Sequence, residues 1–365
     1  MNIAPQLLDW FDVNGRRGLP WQQDATPYRV WISEVMLQQT QVETVIPYFT
    51  RFIAQFPDIA SLAAASADAV LAHWSGLGYY ARGRNLHRAA AVVMSRHGGA
   101  LPETLEGLMA LPGIGRSTAG AILALAYGQR HPILDGNVKR VLSRVFAVRD
   151  APGSAATAAR LWALAEACTP VTRVAEYTQA IMDLGATLCT RARPACDRCP
   201  LGAGCAARAL DLVEELPARR ARAPRRQERT QMVFVVHDGR LLLQRRPANG
   251  IWGGLWAPPE FPDARAARRW WQSRFGAAAG KGRRLPAVRH AFTHFDLEIE
   301  PWVVPLRRAR AAGAEAVWQE LRAAPAVGLP APVARLMEEG LDGQDGAMRV
   351  ARPRGGRPRS RALSG

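Results

Sequence analysis

The stretch that most limits what this chain can become runs from Leu111 to Asn137, LPGIGRSTAGAILALAYGQRHPILDGN. Pro112-Gly113-Ile114-Gly115 interrupts two helical patterns, Leu105 to Leu111 before it and Ser117 to Tyr127 after it, and places glycines where the backbone must turn tightly. The expectation is a helix-hairpin-helix turn. Gly113 and Gly115 carry no Cβ, so a phosphate can come close to the backbone amides, and the following helix adds the positive end of its dipole. Such a turn suits a nucleic-acid backbone, although a lone PGxG is more often an ordinary corner between helices. Asp135 has two readings as well. It precedes a helical run, Val138 to Val145, where an N-cap aspartate stabilises any helix by about 1 kcal/mol, and it is also the single carboxylate of the stretch.

A chain of 365 residues has material for about two domains, and 48% hydrophobic residues fit a globular protein. The formal charge of +17 points to a polyanionic partner, nucleic acid or an acidic surface. Nearly all the basic residues are arginine, with Lys139 and Lys281 the only lysines. No apolar run approaches the roughly 20 residues that span a bilayer, and the amino terminus carries Asp9 and Asp12 in place of a signal-peptide core. A cytoplasmic protein without membrane contact is therefore expected.

The first helical stretch covers Gln6 to Val13. Pro27 to Leu37 follows, PYRVWISEVML, in which Glu34 is the one carboxylate among large apolar side chains. Burial disfavours the ionised form, so the pKa of Glu34 should rise towards neutrality, as a general acid requires; the alternative is a glutamate on the polar side of an amphipathic helix. Gln38-Gln39-Thr40-Gln41 lies between that helix and the next, Val42 to Phe56, where amide and hydroxyl groups could probe a base stack. Gly76 to Asn85, GLGYYARGRN, reads as a tight loop holding two tyrosines beside arginines, a combination suited to insertion into DNA or, equally, to packing a loop onto the core.

Five cysteines include four at Cys189, Cys196, Cys199 and Cys205, which argues for a metal site over a spread disulfide framework. One C-x2-C with two longer arms is nearer to iron-sulfur ligation than to the paired knuckles of structural zinc. Arg191, Arg193 and Arg198 within this loop would offer a basic surface to phosphates. Cys168 reads as a small buried hydrophobe. From Leu216 to Arg229 six arginines and two prolines without periodicity read as a linker. Beyond it the texture becomes that of strands, with Met232 to Val236, an Asp238-Gly239 hairpin signal and Leu241 to Arg245.

Over roughly residues 5 to 305 the chain resembles the MutY family of adenine DNA glycosylases, in the helix-hairpin-helix superfamily. The resemblance rests on LPWQ at Leu19 to Gln22, SEVMLQQTQV at Ser33 to Val42, GLGYYAR at Gly76 to Arg82, LPGIGRSTAGAI at Leu111 to Ile122, LDGNVKR at Leu134 to Arg140, and the four-cysteine spacing, in that order. It implies a mainly α helix-hairpin-helix glycosylase domain at residues 1–215, with an iron-sulfur loop at 189–205. A linker at 216–229, an α+β Nudix-like domain at 230–345 and a disordered basic tail at 346–365 would follow. By the same resemblance Glu34 protonates the adenine, Asp135 stabilises positive charge on the sugar, and Cys189, Cys196, Cys199 and Cys205 hold a 4Fe-4S cluster. Gln39 and Tyr79 would fill the gap left by the extruded base. Trp21, Gln22, Thr40, Leu77, Gly78, Ser117 and Asn137 would line the DNA or the adenine, with Gly113 and Gly115 at the backbone. The implied partner is double-stranded DNA holding adenine opposite 8-oxoguanine or guanine, bound by a monomer.

The residue chemistry is compatible with this. Breaking an N-glycosidic bond needs a proton on the leaving base and a negative charge beside an oxocarbenium-like sugar. Glu34 in apolar surroundings can keep a proton, whereas Asp135 near a helix N-terminus is expected to stay ionised, so that the two pKa values are pushed apart. The nearest alternative is an endonuclease III-like glycosylase and lyase; such relatives carry a lysine where this chain has Ser117. A non-catalytic iron-sulfur DNA sensor is a third reading, against which stand both carboxylates. In the second domain Arg245 to Pro247, Gly250 to Trp256 and the strand pattern resemble a Nudix fold. Laid from Gly254, the catalytic box keeps Gly254, Glu260 and Arg268, but its glutamate positions hold Arg269, Gln272 and Ser273. Metal-dependent hydrolysis is not expected there. Phe292-Thr293-His294-Phe295 matches the loop that contacts 8-oxoguanine in the family, or else caps a turn between strands.

Overall fold

The computed structural model describes residues 2–150, 153–218, 224–308, 311–313 and 315–341; the basic tail expected at 346–365 lies outside them. The first part of the chain is helical: α1 (Ala4–Asn14), α2 (Pro27–Leu37), α3 (Val42–Gln55), α4 (Ile59–Ala64), α5 (Ala67–Trp74), α6 (Ala81–Arg96), α7 (Leu105–Met109), α8 (Arg116–Tyr127), α9 (Gly136–Val145), α10 (Ala155–Cys168), α11 (Val174–Thr187) and α12 (Ala206–Ala209). Thr26, Asp58, Ser66, Thr104, Asp135 and Ser154 each take up a first-turn amide and so fix where α2, α4, α5, α7, α9 and α10 begin. At α8 the N-cap is Gly115 and no side chain closes it.

These helices enclose two cores. Trp31, Phe49, Phe52, Trp74 and Leu86 belong to the first, built by α2 to α8 and continued by residues of the second part such as Met232, Phe234 and Leu255. Leu7, Phe11, Leu142, Ile181 and Leu184 belong to the second, built by α1 and by α8 to α11. The hairpin helix α8 serves both, giving Ile122 and Leu123 to the first and Ala121 to the second. Cys168 is buried in the second core, as its apolar surroundings imply. The loop expected at Gly76 to Asn85 is shorter than the sequence indicates, because α6 already starts at Ala81.

The second part is a mixed sheet with two helices. Its strands are β1 (Arg226–His237), β2 (Arg240–Arg245), β3 (Trp256–Ala257), β4 (Glu260–Phe261), β5 (Arg283–Arg284), β6 (Val288–Ala291), β7 (Phe295–Pro305) and β8 (Ala316–Glu320), with α13 (Ala264–Phe275) and α14 (Ala331–Glu339). The backbone order is β3-β2-β1-β7-β5, with β1 and β7 parallel along their length. The run at Met232 to Val236 is apolar throughout because both sheet faces are covered: Met232 and Phe234 face one core, Val233 and Val235 the core beneath α13.

The linker is shorter than the expected 216–229. Leu216 is buried, and its carbonyl accepts a hydrogen bond from Arg144 Nε at 2.9 Å, so it closes the first domain. At the other end Arg226 to Arg229 are the first residues of β1, paired with Phe295 to Glu298. Arginine-rich composition conceals this strand, since its charges are met across the sheet: Arg225 pairs with Asp296 at 3.0 Å and Arg229 with Glu298 at 2.8 Å. Among the described residues no helix is long and apolar enough to cross a membrane.

Candidate active site and cysteine loop

Glu34 lies on α2, whose other side chains from Tyr28 to Met36 are almost all buried. Its own side chain is half-buried, and among the described residues it has no hydrogen bond or ion pair. Loss of water, with the negative charge of Asp135 second, pushes its carboxyl up to about 8. Asp135 caps α9, with Oδ1 accepting the Val138 amide at 2.8 Å and Oδ2 facing Asn137 Nδ2 at 3.4 Å. Its pKa is raised above the ordinary aspartate value. Burial outweighs the backbone amides of Val138 and Asn137 and the charges of Arg140 and Lys139, all of which favour the anion. The expectation that the helix terminus favours Asp135 as an anion holds for the amides, but burial raises both carboxyls, and the amides make Asp135 the first to ionise.

Asp135 is tightly supported. Ser117 Oγ accepts the Leu134 amide at 2.9 Å and so ties the head of α8 to the approach to α9. Gly185 lets α11 close on the same place, since a Cβ there would stand 2.6 Å from Asn137 Cβ. Asn137 Oδ1 accepts from Arg140 Nη2 at 2.8 Å, and the same guanidinium reaches the carbonyls of Gly185 at 2.6 Å and Cys189 at 2.7 Å. One turn later Arg144, buried, donates to Cys189 Sγ at 3.4 Å and to the Thr190 carbonyl at 2.7 Å. A single helix therefore carries the candidate charge stabiliser at its head and grips the cysteine loop with two arginines four residues apart. Sequence reasoning passed over both arginines; their i, i+4 spacing on an amphipathic helix was the available signal.

Gln39 and Tyr79 are both exposed, and both have left-handed backbone, with φ of +60° and +49°. Non-glycine residues adopt this conformation only when their surroundings impose it. Arg82 is the missed residue that does so. Its buried guanidinium donates to the carbonyls of Val35 at 2.9 Å, Met36 at 2.6 Å and Gly78 at 3.2 Å, and to Thr40 Oγ1 at 3.0 Å. The two loops that bear Gln39 and Tyr79 are thus tied to the C-terminal end of the Glu34 helix.

Several of the other expected contacts also have partners within the fold. Trp21 and Leu77 are buried in the first core, and the Gln22 amide is spent on Arg16 O at 2.8 Å and the Leu19 amide at 3.1 Å. The Thr40 hydroxyl is held by Arg82. At the hairpin, Gly113 has φ +81° and leaves room for Asn85, whose Cβ would lie 2.7 Å from an added methyl. Nothing lies within 4 Å of the place a Gly115 side chain would take, and the open head of α8 begins there.

Cys189, Cys196, Cys199 and Cys205 line one cavity together with Arg144, Arg208 and Leu188. Burial pushes the Cys199 thiol up to about 11. Among the described residues no three histidine, cysteine or acidic side chains are grouped as a single metal ion would require. Arg191, Arg193 and Arg198 are exposed. In the second domain Arg268, Arg269, Gln272 and Ser273 are exposed on α13, and Glu260 is already taken by Arg246 and by Thr230 Oγ1. Phe292 and Phe295 stack at 4.6 Å to close the turn between β6 and β7, so that Thr293 and His294 stand exposed at its tip.

Two family models match the chain: the HhH-GPD superfamily of base excision DNA repair proteins over residues 32–167, and the NUDIX domain over residues 230–339. A solved thermostable thymine-DNA glycosylase is similar to it in fold, with a TM-score of 0.51 and 24% identity over 57% of this chain and 95% of that one. Fold and site together define a helix-hairpin-helix DNA glycosylase with a Nudix-type second domain. Adenine DNA glycosylase of Buchnera aphidicola from Acyrthosiphon pisum is 36% identical over 91% of this chain and 95% of its own length. The human adenine DNA glycosylase is 35% identical over 82% of this chain and 66% of its own length. The chain belongs to the adenine DNA glycosylase family of base-excision repair.

Proposed function

We propose that this enzyme excises adenine mispaired with 8-oxoguanine or guanine, by hydrolysis alone, and leaves an abasic site with the strand intact. The observation that carries the reading is the pair of unlike carboxyls: Glu34 keeps its proton to about pH 8, while Asp135 is held by amides as the anion. Glu34 gives its proton to a ring nitrogen of the extruded adenine. The glycosidic bond then breaks with its electron pair leaving on the base, and the positive charge left on the sugar lies beside Asp135. Water adds at the anomeric carbon and loses a proton to the Glu34 carboxylate, which restores the starting state. Gln39 and Tyr79, held out by Arg82, are suited to fill the vacated stack. The open head of α8 at Gly115 receives the DNA backbone.

Cys189, Cys196, Cys199 and Cys205 would hold a 4Fe-4S cluster, whose contribution is to brace the loop carrying Arg191, Arg193 and Arg198. Four thiols around one cavity, with one C-x2-C and two longer arms, fit a cluster better than a lone zinc ion. The second domain reads the opposite base through Thr293 and His294 and hydrolyses nothing, because α13 offers no carboxylates for divalent metals. The enzyme acts as a monomer. Incubation of the full chain with duplexes holding adenine opposite 8-oxoguanine, guanine, cytosine or thymine tests the reading. It should release adenine from the first two and yield breaks only after alkali; release of another base, or no preference among the four, contradicts it.

A further inference from the structure

Helix α5 leads into the turn that presents Tyr79, and the second domain is seated along its whole length. At its head Asp68 accepts hydrogen bonds from Arg245 Nη2 at 2.5 Å and Trp256 Nε1 at 2.9 Å. In its middle Leu71 lies against Gly328, where an added Cβ would stand 2.8 Å from Leu71 Cβ and 2.9 Å from Leu255 Cδ2. Just beyond its end Ser75 Oγ donates to the Leu329 carbonyl at 3.0 Å. Tyr80 OH, on the far side of the turn, donates to that same carbonyl at 3.1 Å and accepts the Gly76 amide at 3.3 Å. Arg84, one turn into α6, donates to the Gly253 carbonyl at 2.5 Å. Both ends of the Ser75–Tyr80 turn therefore close on one carbonyl of the second domain, with Tyr79 exposed between them.

We propose that the Gly328-Leu329 segment of the second domain positions Tyr79, so that insertion of this side chain into DNA depends on how the two domains are seated. This rests on the reading of Tyr79 as the inserting residue. The left-handed backbone at Tyr79, φ +49°, has to be imposed from outside. Arg82 and Trp74 hold the Gly78 carbonyl from within the first domain, and Leu329 fixes the turn ends from the second. Ser75 and Tyr80 are positioning residues here, acting through the turn. An interface that served only stability would have no need to converge on both ends of one loop.

The test uses the full chain and a duplex in which a 2′-fluoro sugar blocks excision of the adenine opposite 8-oxoguanine, with 2-aminopurine next to the 8-oxoguanine to report unstacking. Gly328→Ala, which crowds Leu71 from the second-domain side of the interface, and the double variant Ser75→Ala with Tyr80→Phe should each cut the fluorescence rise on binding at least threefold. Neither should lower it further in a Tyr79→Ala background. Asp68→Asn, at the other end of α5, gives the same readout should Gly328→Ala fail to fold. An undiminished rise in the folded variants, or losses that add in full to that of Tyr79→Ala, overturns the proposal. A full rise in Tyr79→Ala alone instead overturns the inserting role of Tyr79, so the two failures are told apart.

Discussion

The charge on Asp135 works with burial to keep Glu34 protonated up to about pH 8. The proton rests on Glu34 because Asp135 sits on the backbone amides of Val138 and Asn137 and near Arg140, whereas Glu34 has no such partners among the described residues. Two partly desolvated carboxyls in one site cannot both ionise cheaply, and hydrogen bonds to the anion decide which of them does.

A pH profile of single-turnover adenine release should follow from this order. Glu34 must be protonated, so the rate should be level near neutrality and fall above about pH 8. Asp135 must be ionised, so an acid limb should appear above the ordinary aspartate range. Stability has its own sign. The folded pKa of Glu34 lies above its unfolded value of 4.5, so stability is fully present below 4.5 and is lost as pH rises towards 8. Glu34→Gln should therefore be more stable than the parent at pH 8, by at most about 4 kcal/mol, and no more stable at pH 4.5. A rate unchanged from pH 7 to 9.5 contradicts the assignment of the acid.

Arg140 should matter to both the carboxylate and the cysteine loop. Arg140→Met removes its bonds to Asn137, Gly185 and Cys189 together. Excision should slow by roughly 10- to 100-fold, and the acid limb should move to higher pH as Asp135 loses a favourable charge. Purified parent protein should carry about four irons per chain and negligible zinc. Cys199→Ser should lower iron content and DNA binding, and Cys168→Ser should not. Stoichiometric zinc without iron in anaerobically prepared protein runs against the cluster.

Strand scission tests the absence of a lyase. Ser117 Oγ is committed to the Leu134 amide, and Lys139, exposed on α9, is the only lysine of the helical part. Borohydride should trap at most a trace of covalent complex, and that trace should vanish in Lys139→Ala. Abundant cleavage without alkali that survives Lys139→Ala reveals a nucleophile not accounted for here.

Choice of the opposite base should depend on the turn closed by Phe292 and Phe295. Thr293→Ala combined with His294→Ala should reduce the preference for A:8-oxoguanine over A:G severalfold while excision from A:G continues. Equal preference in parent and variant places the readout elsewhere.

Much of this site was legible because its chemistry is concentrated in short contiguous stretches. The hairpin glycines, the cap at Asp135 and the isolation of Glu34 on an apolar helix each have a local cause. Arg82, Arg140 and Arg144 were not legible, since their partners are backbone carbonyls and a sulfur brought together by tertiary packing, and arginine is common throughout the chain. Arg226 to Arg229 escaped for a related reason: the charge of Arg229, which reads as linker, is met by Glu298 only when β7 arrives alongside. The rise in the pKa of Asp135 was missed because capping can be read from sequence, whereas loss of water depends on how closely α8 and α11 pack around it.

The central claim, that Glu34 delivers the proton and Asp135 carries the charge, is tested most directly by adenine release under single-turnover conditions with A:8-oxoguanine duplex and saturating enzyme. Glu34→Gln should bind the duplex as the parent does, fold with at least equal stability and release almost no adenine. Asp135→Asn should retain the helix cap and lose on the order of 2.7 kcal/mol or more of transition-state stabilisation, about a hundredfold in rate. Near-parental release by folded Glu34→Gln, or an Asp135→Asn variant that loses thermal stability but not rate, contradicts the account.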